Sequence, residues 1–388
     1  MKIALYTYNT KPRGGVIHTL ALAEELEKYG CNVTVYALGL GGAQQFYRPV
    51  KAGTQVFPYL SRPGESFESR IASYIETYTE GLASEELEQY DIHHVQDCIS
   101  ANCLNRLMER GRVPFFLRTV HHLDDFTTPA LVSCQQKSVT APEQLITVSE
   151  YWRYRLRIEH GRAAEVIHNG VENRYFEPRG SKAELKDKYS LSGKTVFLTI
   201  GGIEPRKNTI RTLRAFEIVQ RSIPDAVLVI AGGATLFDYR YYYDDFMNEW
   251  NGMDNEVRTA VRIVGAPSDA VIQDYYQLAD CYLQPSIKEG WGLAIMEAMA
   301  GGTPVVASTI EVFREFLSHE HNALLADPED ERSIAHGMLR VASDMALRDR
   351  LSTEGKKTAY KYHWSATAQK HVTLYRRLML SGRIDGTG

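Results

Sequence analysis

MKIALYTYNTKPRGGVIHTLALAEELEKYGCNVTVYA, Met1–Ala37, sets the architecture. Ile3–Tyr8 is a short β-rich run and reads as a strand. Lys11–Gly15, KPRGG, reads as a loop. Val16–Tyr29 has its apolar residues at helical spacing, and Gly30 is placed to end that helix. Asn32–Ala37 reads as a second strand. Strand, glycine-bearing loop, helix and strand is how a doubly wound parallel sheet opens.

The alternation continues along the chain. Strands are expected at Ile92–Val95, Phe115–Val120, Leu145–Val148 and Val166–His168. A second series follows at Thr195–Ile200, Ala226–Ala231, Val261–Val264, Cys281–Gln284, Pro304–Ala307 and Ala323–Leu325. Residues 39–65 are rich in Gly and Pro and read as irregular. Glu172–Leu191 is a polar stretch between two strands, so the domain boundary is placed near Val171. A chain of 388 residues suits two domains of ordinary size. The expected fold is α/β: two Rossmann-like doubly wound parallel-sheet domains facing a central cleft. Their bounds are 1–171 and 172–362, with 363–388 as a terminal segment.

Hydrophobic residues make up 44% of the chain and charged residues 24%, the balance of a soluble globular protein. A net charge of −4 argues against a nucleic-acid partner, for which a basic excess is usual. No apolar run approaches membrane-spanning length, and the N-terminus reads as a first strand and not a signal peptide. The five cysteines are odd in number and form no CxxC, which points to buried thiols in a reducing compartment. The expected location is cytoplasmic, with peripheral membrane contact left open.

In doubly wound sheets ligands lie beyond the C-terminal strand ends, so loops directly after strands come first. Gly201–Asn208, GGIEPRKN, joins two glycines to Arg206 and Lys207 ahead of a helix that Asn208 is placed to cap. Cations at a helix N-terminus suit a diphosphate, although a capped, solvated turn explains the same residues. Pro285–Met299, PSIKEGWGLAIMEAM, breaks at Gly290 and Gly292 before a helix from Leu293. The amides of Gly290–Leu293 then lie at its N-terminus and can cradle phosphate oxygens. Glu289 at the mouth and Glu297 one turn in suit sugar hydroxyls, but the helix dipole alone also favours glutamate there.

Phe115–Phe126 ends a strand in His121 and His122, followed by Asp124 and Asp125. A polar orienter, a structural pair and a metal ligand set all fit, the metal least well for want of a second cluster. Asp91–Ser100 ends in Gln96 and Asp97, and Ile167–Glu172 carries an Asn169-Gly170 turn. Tyr239–Tyr243 and the basic-aromatic Tyr151–Arg157 read as packing or half-solvated helix faces. The chain contains no Asp-x-Asp, so a divalent ion holding a diphosphate through that motif is not expected.

These residues resemble the retaining glycosyltransferases of the GT-B fold, the group 1 or family 4 class. Glu289 and Glu297 reproduce its E-x7-E motif, and PSIKEGWGLAIMEAMAGGTPVVAS is similar to its signature almost throughout. GGIEPRKN looks like its phosphate loop; TVHH, ITVSEYWRYRL and IHNGV stand at the expected positions. The resemblance spans essentially the whole chain and is looser in the first half. It implies a nucleoside-diphosphate sugar as donor; with no Asp-x-Asp in the chain, neither a cofactor nor a metal is expected.

By the same resemblance, Glu297 binds the donor ribose and Glu289 contacts the sugar near the reacting centre. Lys207 binds the diphosphate, and Gly290, Trp291, Gly292 and Leu293 form the backbone cradle. Gly14 and Gly15 match the first glycine loop, His121 the histidine near the sugar, and Val264 the place where the base edge is read. Gly201 and Gly202 complete the donor set; Asp97, His121 and His122 are candidates on the acceptor side. The terminal segment looks like the family's helix that crosses back onto the first domain. The chain departs from the family at Gly202, where arginine is usual, and Arg206 is the nearest substitute. The expected activity is hexosyl transfer with anomeric retention to a saccharide, lipid or small metabolite. The rivals are an epimerase or phosphorylase on the same fold, and a non-catalytic nucleotide-sugar-binding protein.

Overall fold

A computed structural model describes residues 1–232 and 239–384. The chain divides into two units: Met1–Gly170 together with the chain from Trp364 on, and Val171–His363.

The first unit holds a seven-stranded sheet. Its strands are β1 Lys2–Thr7, β2 Asn32–Leu40, β3 Gly53–Tyr59, β4 Ile92–Val95, β5 Leu117–Val120, β6 Gln144–Thr147 and β7 Ala164–Val166. They lie in the order β3-β2-β1-β4-β5-β6-β7, every pair parallel. Both faces of such a sheet are covered, and the strands read accordingly as continuous apolar runs. Ile3, Ala4, Leu5 and Tyr6 of β1 have no exposed surface.

The second unit holds six parallel strands: β8 Thr195–Ile200, β9 Ala226–Ala231, β10 Val261–Ile263, β11 Cys281–Gln284, β12 Val305–Ser308 and β13 Leu324–Ala326. Their order is β10-β9-β8-β11-β12-β13. Its core packs Phe197, Leu213, Phe216, Leu228 and Phe246 with Met338 and Val341, each fully buried. Truncating one such Phe to Ala removes roughly 3–5 kcal/mol of stability.

Both sheets reverse strand order once, between β1 and β4 in the first and between β8 and β11 in the second. A crevice opens beyond the strand ends at such a switch. The loops that leave these strands are Tyr8–Arg13, Gln96–Asp97, Gly201–Asn208 and Pro285–Gly292, and the last three lie in segments singled out above for chemistry.

Two expectations are corrected. Residues 39–65 are not all irregular, because Gly53–Tyr59 forms β3, in register with Thr34–Leu40. The strand lies at the sheet edge, where Pro58 is tolerated and Thr54, Gln55 and Pro58 stay in solvent. Its Gly and Pro therefore hid an ordinary edge strand. The helix after β1 is Gly14–Lys28, so Gly14 and Gly15 form its first turn and not part of the loop.

The polar stretch between the two sheets contains a helix of its own, Lys182–Lys188. Ser181 and Glu184 close a reciprocal capping box at its start. The last helix, Trp364–Ile384, belongs to the first unit and buries Ala368, His371, Leu374 and Tyr375 there. The five cysteines form no disulfide. No helix among the described residues is long and apolar enough to cross a membrane.

Candidate active site

In the second unit the loops after β8 and β11 converge on one carboxylate. Glu289 is 8% exposed. Its Oε1 lies 2.5 Å from Lys207 Nζ and accepts from Gln284 Nε2 at 3.0 Å and Ser286 Oγ at 2.9 Å. Arg206 NH1 stands 3.1 Å from Oε2, and Arg206 Nε is 3.3 Å from Glu204. Burial pushes the Glu289 carboxyl up, but Lys207 and Arg206 outweigh it and hold its pKa at about 2. Burial lowers the Lys207 pKa, against the opposing charge of Glu289. The two cations therefore do not stand in solvent; they are held against a fixed anion.

Backbone geometry explains how they get there. Gly201 ends β8 at φ +140°, and a Cβ on it would come within 2.9 Å of Lys207 Cε. The bare backbone lets the lysine pass over the loop. Gly202 follows, half-buried. Asn208 adopts φ +59° and does not cap the following helix Thr209–Ser222. Its Nδ2 donates instead to the carbonyls of Pro285 at 3.0 Å and Pro328 at 2.6 Å. Ile287 N–H donates to Arg206 O at 2.9 Å, which ties the two loops directly.

The helix Leu293–Ala300 begins at Gly292, which sits at φ +126° and supplies no side-chain cap. A Cβ there would lie 3.1 Å from Phe313 and 3.3 Å from Phe316. The first-turn amides are thus left with a positive dipole end and no side chain across it. Trp291 turns inward, 2% exposed, its ring 4.7 Å from Phe316 and 5.2 Å from Tyr362. It offers a ligand its backbone, not its indole.

Glu297 lies on the same helix, 8% exposed, and its Oε2 accepts from Tyr276 Oη at 2.7 Å. Burial raises its pKa to about 7, against the lowering effect of Tyr276 and with Glu172 adding to the rise. Oε1 has no partner among the described residues. Val264 N–H is taken up by Ile230 O at 3.0 Å, which leaves its carbonyl as the group it can offer.

Sequence reasoning missed Gln284, Ser286 and Tyr276. Gln284 had a weak signal, a polar residue closing an otherwise apolar strand. It also missed Gly232, where a Cβ would stand 2.0 Å from Gly201 O. Gly232→Ala is expected to destabilise the protein by about 3 kcal/mol, the upper end for a forced backbone shift. It should also weaken whatever binds the Gly201 loop. Urea unfolding curves check the first, and an unchanged midpoint would show that the contact relaxes freely.

In the first unit, Gly15 leaves room beside His121, whose ring would lie 3.8 Å from a Cβ on it; around Gly14 there is open space. His121 Nε2 is 3.2 Å from Gln96 Oε1. Burial, then the charges of His122 and Arg118, lower its pKa to about 3, so the ring is neutral. His122 is part-exposed, its Nε2 3.5 Å from Asp124 Oδ1. Asp97 caps the helix Cys98–Glu109, accepting from Ser100 N at 2.7 Å, Ser100 Oγ at 2.9 Å and Tyr8 N at 2.9 Å. Its carboxylate is committed to the fold on three sides. His18, which sequence reasoning passed over, is fully buried, edge-on to His121 at 4.7 Å. Its signal was a lone imidazole in the apolar run VIHTLALA. Among the described residues no three His, Cys, Asp or Glu side chains are placed to hold a metal ion.

Comparison with known proteins agrees in both units. Residues 181–358 match the family described as glycosyl transferases group 1, and residues 12–174 match glycosyltransferase family 4. An uncharacterized glycosyltransferase of Methanocaldococcus jannaschii is 28% identical over 98% of this chain and 99% of that protein. The D-inositol 3-phosphate glycosyltransferase of Corynebacterium glutamicum is 24% identical, covering 100% and 99%. The structure of sucrose-phosphate synthase from Thermosynechococcus elongatus superposes with a TM-score of 0.78 at 21% identity, over 98% of this chain and 99% of that one. At that identity the superposition speaks for the fold.

Proposed function

Because this chain belongs to the group 1 glycosyltransferases of the GT-B fold, we propose that it moves a hexosyl group from a nucleoside-diphosphate sugar to a saccharide, lipid or small-metabolite acceptor. Transfer proceeds with retention and without a metal ion. Retention rests on the family resemblance. The observation that carries the donor assignment is the pairing of Lys207 and Arg206 with Glu289 beside the Gly292 helix start.

The chemistry follows from charge. Breaking the glycosidic bond leaves a diphosphate whose growing negative charge must be stabilised. Lys207, Arg206 and the amides from Gly290 to Leu293 supply positive charge without a metal. Glu289 holds both cations in place before the donor arrives, so little reorganisation is needed. As the phosphate oxygens take over the cations, the carboxylate is released toward the sugar. Glu297, with one oxygen fixed by Tyr276, offers the other to ribose hydroxyls. In the first unit, Gly15 and the neutral His121 are assigned to the acceptor.

A thermal-shift panel of nucleotide sugars is the direct test, since a ligand that binds the folded state raises its apparent stability. One donor should shift the melting temperature, and its sugar should reach an acceptor at undiminished rate in chelator. Activity lost on chelation and restored by a divalent ion refutes the metal-free step. Epimerised donor with no transfer refutes transfer itself. Gly202, in place of the usual arginine, favours one second reading, binding without transfer. A donor that shifts the melting temperature but is never turned over selects it.

A further inference from the structure

His121 is one end of a hydrogen-bond chain that starts on the C-terminal helix. Tyr375 Oη lies 2.7 Å from His94 Nδ1. His94 Nε2 lies 2.7 Å from Thr119 Oγ1 and 3.4 Å from Gln96 Nε2. Gln96 Oε1 lies 3.2 Å from His121 Nε2. Tyr375, His94 and Thr119 have no exposed surface and Gln96 has 4%, so water does not stand in for a missing partner.

A carboxamide is a donor at one end and an acceptor at the other, and a neutral imidazole likewise. The chain therefore has two consistent directions. In one, Gln96 Oε1 accepts from His121 Nε2–H, Gln96 Nε2 donates to His94 Nε2, and His94 Nδ1–H donates to Tyr375. In the other, the amide is reversed, His121 carries its proton on Nδ1, and Tyr375 donates to His94 Nδ1. The Thr119 hydroxyl rotates to suit either.

We infer that Gln96 couples the two rings, so that His121 carries its proton on Nε2 when His94 carries its own on Nδ1, and on Nδ1 when His94 carries its own on Nε2. Burial holds both rings neutral, as the coupling requires. His121 Nδ1 accepts in the first direction and donates in the second, so what it offers a ligand is set from His94. Gln96 is a positioning residue. Its effect on turnover rests on the glycosyltransferase reading, but the pairing of tautomers does not.

The test is ring tautomer by two-bond ¹⁵N–¹H correlation on the full chain labelled at histidine, with His121→Gln and His94→Gln to assign the signals. Wild type should show the two rings protonated on opposite nitrogens, one on Nε2 and the other on Nδ1. Tyr375→Phe removes the partner of His94 Nδ1, and whichever tautomer His94 then takes, His121 should take the opposite one. Gln96→Leu should release His121 from His94 and leave it as a mixture of both forms. The same nitrogen protonated on both rings in wild type or in Tyr375→Phe overturns the coupling, as does an unchanged His121 tautomer in Gln96→Leu. Transfer activity is measured alongside and should fall about tenfold in kcat in Gln96→Leu. An inactive wild type refutes the glycosyltransferase reading and leaves the tautomer result standing.

Discussion

Lys207→Met is expected to lower sugar-transfer turnover by about 10²–10³-fold, the scale of removing one preorganised charge from a transition state. Stability should fall too. Glu289 stays buried, with Arg206, Gln284 and Ser286 still donating, so the loss is about 2 kcal/mol, below the roughly 3–5 typical of a stripped buried pair. The pH dependence has a definite sign. A carboxyl held at about 2 contributes stability that is present above its ordinary value of 4.5 and lost as pH falls toward 2. Without Lys207 the folded carboxyl moves back toward 4.5, so that loss should shrink and be complete at higher pH. Lys207→Met with Glu289→Gln should recover most of the stability, because no unpaired charge is left, and none of the turnover. Melting temperatures from pH 3 to 8, read with donor turnover, separate the two effects. A double variant that regains activity would mean that the cation works only by holding Glu289.

Glu297→Gln should do the reverse: stabilise the free protein at pH 8 and weaken nucleotide binding. A carboxyl raised from 4.5 to about 7 contributes stability fully present below its unfolded value and lost as pH rises through 7. The loss is about 3 kcal/mol. Glutamine keeps the Tyr276 hydrogen bond and removes the ionisation, so the variant should match wild type near pH 4 and exceed it by about that amount at pH 8. Nucleotide affinity runs the other way. If the carboxylate is the form that accepts ribose hydroxyls, wild-type affinity falls about tenfold per pH unit below 7. Binding should then release a proton near pH 6.5, visible in calorimetric titrations as a dependence on buffer ionisation heat. The variant should bind weakly with no such dependence. A Glu297→Gln protein no more stable than wild type at pH 8 removes the basis of this account.

Much of this was legible in the chain itself. The strands of the second unit are strongly apolar and bounded by turns, and Thr195–Ile200, Ala226–Ala231 and Cys281–Gln284 stand as read. Period and composition suffice where a strand is buried on both faces. They failed at Gly53–Tyr59, where an edge position relaxes the very pattern that identifies a strand. The loops that bear charge were found because they follow strands. What joins them was not. That Lys207 and Glu289 meet depends on Gly201 and Gly232 clearing a path. Tyr276 reaches Glu297 from a helix in no way marked by its own neighbours. Asn208 was read as a cap from residue type alone, but its left-handed backbone turns the amide toward two proline carbonyls.

The first unit is made of two separated pieces of chain, and that has a bearing on biosynthesis. His94 and Tyr375 are 281 residues apart. A ribosome releases the seven-stranded sheet first, yet its covering helix emerges only after all of the second unit. Until then the face that receives Ala368, His371, Leu374 and Tyr375 is open, and nascent chains bear an apolar surface punctuated by imidazoles. The unit synthesised first is thus the last to be completed. Chains stopped short of Trp364 should be those that chaperones retain, although every strand of both sheets is already present in them.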